Sequence, residues 1–137
     1  MRYPRGMGWQ EIRFRIPSPG RVVADFGNHE ILSDHPPDSE RDGRDPEPWR
    51  LFLASIGACM ASFVAARCRE EGVPSDSIEI VQRHRFGDGD ALAGFDVEIR
   101  VPPDFSPELR VALAEAAADC SVKRTIEAGP EFSISVA

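Results

Sequence analysis

The stretch Leu51-Phe-Leu-Ala-Ser-Ile-Gly-Ala-Cys-Met-Ala-Ser-Phe-Val-Ala-Ala66 carries no charge and is closed off by Arg50 and Arg67. A helix needs about 20 apolar residues to cross a bilayer, so this run reads as too short. At 1.5 Å per residue its sixteen residues make a helix of roughly 24 Å. Apolar side chains at nearly every position predict a helix buried on all sides. A chain of 137 residues has room for one modest core. Either sheet must meet both faces of such a helix, or a second subunit supplies one wall. The expectation is an obligate dimer. Pro48 suits the first helical turn, where its missing N–H costs nothing, and Gly72 followed by Pro74 marks the stop.

Outward from this helix the chain reads as strands. Ile12, Phe14 and Ile16 alternate with Arg13 and Arg15, the two-residue period of a half-buried strand. Pro17-Ser18-Pro19-Gly20 predicts a turn, and Arg21 to Phe26 and His29 to Ser33 predict two more strands around Gly27-Asn28. From Asp34 to Pro48, four prolines and many charges predict a surface loop. Its Asp38–Asp45 part, just ahead of Trp49, is a candidate lid. After the helix, Ser77 to Arg85 and Ala93 to Val101 read as a hairpin joined through Phe86-Gly-Asp-Gly-Asp90. Ser106-Pro107 reads as a cap with proline in the first turn. Leu109, Leu113, Ala116 and Cys120 then step along one face of an amphipathic helix. Gly129-Pro130 breaks it, and Phe132, Ile134 and Val136 alternate as a closing strand. The order β-β-β-α-β-β-α-β predicts an α+β fold in one domain, 1–137.

Composition narrows the partners. Sixteen Lys and Arg against 23 Asp and Glu leave a net charge of −7, which argues against nucleic acid or an anionic membrane surface as partner. No long apolar stretch follows the opening Met-Arg-Tyr-Pro, so a cytoplasmic protein with reduced thiols is expected. His29, His35 and His84 are scattered, and Asp88-Gly-Asp90 lacks the later ligands of a calcium loop. No glycine-rich phosphate loop occurs. Neither a metal nor another cofactor is expected. His84 folded near a thiol is the alternative that would make a Cys–His hydrolase.

Three cysteines remain to be placed. Cys59 lies in the middle of the long helix and Cys120 ends the inner stripe of the second, so both point toward the core. Cys68, nine residues after Cys59, is half a turn out of phase and roughly 13 Å further along the axis. A reactive pair is therefore Cys59 with Cys120. The structural reading makes both simple core packing. Burial raises a thiol's pKa, so Cys59 is a nucleophile only beside a cation. Arg21, Lys123 and Arg124 are candidates through space.

The segment Asp45-Pro-Glu-Pro-Trp-Arg-Leu-Phe-Leu-Ala-Ser-Ile-Gly-Ala-Cys59-Met resembles the opening helix of the OsmC/Ohr family, the osmotically inducible and organic-hydroperoxide-resistance proteins. Ala118-Asp-Cys120-Ser-Val-Lys-Arg-Thr-Ile126 is similar to that family's second cysteine and the basic pair after it. The resemblance covers nearly the whole chain. It implies an intertwined homodimer with its long helices central, and a thiol peroxidase of the oxidative-stress defence. In that reading Cys59 attacks a small hydrophobic hydroperoxide and Cys120 resolves the product to a disulfide, which a dithiol or lipoyl-type reductant reopens. The family's peroxidases also use an early-strand arginine held by a glutamate ten residues before the first cysteine. Arg21 matches the arginine. The glutamate position holds Trp49, and Glu47 is the nearest acid. This departure points to a less characterised OsmC-like branch. With Trp49, Phe52 and Phe63 as an apolar wall, the alternative is a dimeric module that binds a hydrophobic small molecule or senses redox state.

Overall fold

The computed structural model describes residues 11–34 and 44–137. His35 and most of the candidate lid lie outside the described residues. The chain divides between Ala54 and Ser55 into two compact units, each described by itself.

The first unit holds a three-stranded antiparallel meander of β1 (Arg13–Ser18), β2 (Arg21–Asp25) and β3 (Glu30–Asp34), in that order across the sheet. Gly20, at φ 79°, turns β1 into β2, and Gly27, at φ 91°, turns β2 into β3; both conformations suit glycine. Asp25 fixes the second turn by accepting the Gly27 N–H at 2.7 Å. The sheet forms where the alternation predicts it, but β1 is not half-buried. Every residue of β1 is exposed, Phe14 at 66% and Ile16 at 74%. Alternation sorts side chains between two faces and cannot by itself supply a cover for either.

The long helix α1 (Pro48–Glu71) opens at the proline and ends before Gly72, which takes the left-handed conformation at φ 69°. It is not buried on all sides. Ile56, Cys59, Met60, Val64 and Cys68 are its buried residues. Ile56, Met60, Val64 and Cys68 follow an i, i+4 row with Cys59 beside it, and each step of four turns by roughly 40°, so the row winds around the helix. That winding carries Cys68 into the core although it stands half a turn from Cys59; its surface is 1% exposed. The helix is also longer than the uncharged run. It is 24 residues long, and an 18-residue window within it reaches a mean hydropathy of 1.7, which satisfies the length and composition of a membrane span. The buried row instead belongs to the protein's core.

That core fills the second unit. Ile56, Met60, Val64 and Cys68 pack with Leu113, Ala117 and Phe105, and the hairpin of β4 (Glu79–Phe86) and β5 (Leu92–Arg100) adds Ile80, Phe95, Val97 and Ile99. Ile80 pairs with Ile99 and Gln82 with Val97, which sets one face of the hairpin toward the core. The other face carries the ion pairs Arg83–Glu98 and Arg85–Asp96, each 2.9 Å. The connection is a short 3-10 turn over Asp88–Asp90.

The second predicted helix is two helices. α2 (Pro107–Ala118) starts as expected, with Ser106 accepting the Leu109 N–H at 3.1 Å. Its buried residues are Leu113 and Ala117, with Ala116 only half-buried. Cys120, at φ −53° and ψ 123°, leaves the helical region, and α3 (Ser121–Ala128) begins behind it. No closing strand forms among the described residues. Phe132, Ile134 and Val136 are 88%, 90% and 98% exposed. A strand needs a neighbour to satisfy its backbone groups, and none pairs with this one.

Candidate active site

Cys59 and Cys120 meet at the break between α2 and α3. Both are buried free thiols, at 5% and 0% exposure. α1 fixes Cys59, since its neighbours Ile56 and Met60 are anchored in the core. Cys120 is fixed as the N-cap of α3, where its sulfur accepts the Lys123 N–H at 3.4 Å. Helix starts leave backbone N–H groups without partners, and here those groups face sulfur.

The two sulfurs have opposite surroundings. Cys59 Sγ lies 3.6 Å from Ser121 Oγ. Burial pushes its thiol up, but the Val122 amide, the Cys120 thiol, and the hydroxyl and amide of Ser121 all favour the thiolate, and the balance falls below the ordinary cysteine value. Cys120 directs its S–H to the Ile56 carbonyl at 3.9 Å, a bond that only the protonated thiol can make. Burial pushes Cys120 up; the Lys123 amide opposes this, and the neighbouring Cys59 adds to the rise. The pair is thus polarised: its surroundings favour the thiolate at Cys59 and the thiol at Cys120.

This activation comes from a helix start. Lys123 and Arg124, two of the cations weighed from sequence, are engaged elsewhere, Lys123 with Glu127 at 2.8 Å and Arg124 with Asp119 at 3.4 Å. Arg21, in the first unit, has its guanidinium between Asp34 at 3.7 Å and Asp45 at 3.4 Å. Glu47 is not its partner; it pairs with Arg50 at 3.6 Å. Trp49 and Phe52 lie together, ring centroids 5.4 Å apart, and both are exposed. Phe63 packs against the core of the second unit. His84 bonds Gln82 at 2.8 Å and meets Phe95 edge-on, so its ring is engaged away from a hydrolase-type pairing. Cys68 is pushed up by burial, which leaves it unreactive.

A cavity of about 220 Å³ in the second unit is walled by Ile56, Met60, Phe95, Val97 and Ile126 and rimmed by Lys123 and Glu127; neither cysteine lines it. Apolar walls around a small volume suit a short hydrocarbon group. The part played by Ser121 and the α3 amides was not read from sequence. Its signal was Asp119-Cys120-Ser121, a run of capping residues ahead of a short helix that Gly129 closes in the left-handed conformation.

The described residues thus give an α+β fold with one long core helix beside a hairpin, and two free cysteines that meet at a helix break. Residues 41–135 match the family described as OsmC-like protein, and the chain belongs to that family. The OsmC like protein from Mycoplasma pneumoniae superposes with a TM-score of 0.69 at 12% identity, over 90% of this chain and 91% of that one. A Psychrobacter arcticus 273-4 protein described as an osmotic stress induced and detoxification response protein gives 0.70 at 17% identity, over 88% and 90%. The organic hydroperoxide resistance protein OhrB of Bacillus subtilis gives 0.51 at 21% identity, over 88% and 92%. At such identities the likeness speaks for the fold. No curated protein matches the sequence.

Proposed function

We propose that this protein is a cysteine-based peroxidase that reduces small hydrophobic hydroperoxides. The observation that carries the reading is the polarised pair, with Cys59 among hydrogen-bond donors and Cys120 against a carbonyl. The Cys59 thiolate attacks one oxygen of the hydroperoxide, the O–O bond breaks, and the alkoxide takes a proton and leaves as the alcohol. Cys59 becomes a sulfenic acid. The Cys120 thiol then displaces that hydroxyl as water, and the Cys59–Cys120 disulfide forms. An external dithiol or lipoyl-type carrier reduces it, and two electrons per turnover balance the alcohol and water released. The apolar cavity partly walled by Ile56, whose carbonyl faces Cys120, suits the hydrocarbon end of the substrate. Membership of a family that includes an organic hydroperoxide resistance fold supports the same chemistry.

Arg21 enters this reading as the cation that the family resemblance assigns, held by Asp34 and Asp45 in place of the glutamate. The working form is a cytoplasmic homodimer with each chain a single domain. Peroxide consumption by Cys59→Ser tests the proposal: it is expected to vanish, and full retained activity would overturn the mechanism. A second reading, a module that binds a hydrophobic molecule without turnover, is favoured by the exposed aromatic pair Trp49 and Phe52.

A further inference from the structure

We infer that Ser121 is the positioning residue that makes Cys59, rather than Cys120, the nucleophile of the pair. The inference deepens the peroxidase reading and rests on it only for its place in turnover. Ser121 Oγ lies 3.6 Å from Cys59 Sγ, across 62 residues of chain. A thiolate has no proton to give, so in the ionised state the hydroxyl must be the donor. Ser121 is also the first residue of α3, and its carbonyl receives the Thr125 hydroxyl at 2.8 Å. That bond braces the turn from which the Ser121 side chain and the first amides project. Cys59, buried to all but 5% of its surface, sits against this turn.

Within the second unit, the titratable groups around Cys59 are engaged as follows. On the α2–α3 junction stands Cys120, whose thiol has both the Ile56 carbonyl, at 3.9 Å, and Cys59 as possible acceptors. On α3, Lys123 is paired with Glu127. On the core side of the hairpin, His84 is bonded to Gln82. On α1 itself, Cys68 is buried nine residues further along. Among the side chains that favour the Cys59 thiolate, Ser121 supplies the hydroxyl and Cys120 the thiol, while the rest of the effect comes from backbone amides. Replacing Ser121 therefore separates a side-chain contribution from the amides, which any residue would keep.

The test is the pH dependence of Cys59 alkylation by iodoacetamide in the reduced full chain, read by peptide mass, for wild type, Ser121→Thr and Ser121→Val. The last two differ by one hydroxyl at equal size, so packing changes cancel between them. The Val variant is expected to move the Cys59 midpoint up by about one pH unit relative to Thr, with alkylation below both midpoints slowed about tenfold. Thr is expected to track wild type. Continued protection of Cys68 shows that the core is intact. Coincident Thr and Val profiles, or Cys120 alkylating ahead of Cys59 in the wild type, would overturn the inference. Alkylation needs no peroxide. A Val-specific shift in a protein that consumes no hydroperoxide would leave the inference standing and remove the peroxidase reading instead.

Discussion

Cys59 and Cys120 differ less in burial than in what each sulfur faces. Donors face Cys59 and a carbonyl faces Cys120, and these contacts favour the thiolate at the first and the thiol at the second. Because the Cys59 pKa is lowered and that of Cys68 raised, reactivity should separate by pH. Deprotonation is what creates the nucleophile, so Cys59 should label at lower pH than Cys68 in the native protein; equal labelling midpoints would contradict the assignment. Cys120→Ser should let hydroperoxide carry Cys59 past the sulfenic acid, visible as added oxygen on the Cys59 peptide by mass spectrometry. Both cysteines could be named from sequence because they stand in two separate motifs in the right order. Their polarity could not, because it depends on the Cys120 backbone leaving the helical region and turning α3 amides toward Cys59.

At the scale of elements, the ends of the helices were easier to read than their faces. Ser106 and Pro107 start α2 where capping chemistry requires, and Gly72 closes α1. Ser106→Ala should cost about 1 kcal/mol in chemical denaturation, the usual loss for a missing N-cap, and an unchanged midpoint would show that the cap contributes nothing. The faces misled because the apolar run of α1 gives no direction. With alanine and glycine on every side, only packing against the hairpin and α2 selects the row from Ile56 to Cys68. A Cβ at Gly57 would crowd only the Gln82 amide oxygen, at 2.8 Å, the far end of a flexible side chain. The break between α2 and α3 escaped for a related reason, as Cys120 continues the apolar spacing of α2 while its backbone ends it.

At the scale of the molecule, two expected burials are unmet within a single chain. Among the described residues, Phe14 and Ile16 stand exposed on β1, and Phe132, Ile134 and Val136 alternate beyond α3, nearly fully exposed. Large exposed apolar surface of this kind is a usual sign of an interface. The account expects a homodimer in sedimentation and expects Phe14→Lys with Ile16→Lys to shift it toward monomer; a wild-type monomer at high micromolar concentration would contradict this. Sequence alternation marked both segments as strands in need of a covered face. It could not say what covers that face, because periodicity records a residue's sidedness and not its neighbour.

The most direct test of the central claim is the intact mass of the reduced protein after one equivalent of cumene hydroperoxide, followed by peptide mapping without reductant. The account predicts a loss of two hydrogens and one new cross-linked peptide joining Cys59 to Cys120, with Cys68 untouched. An unchanged mass, or a linkage that includes Cys68, would contradict it.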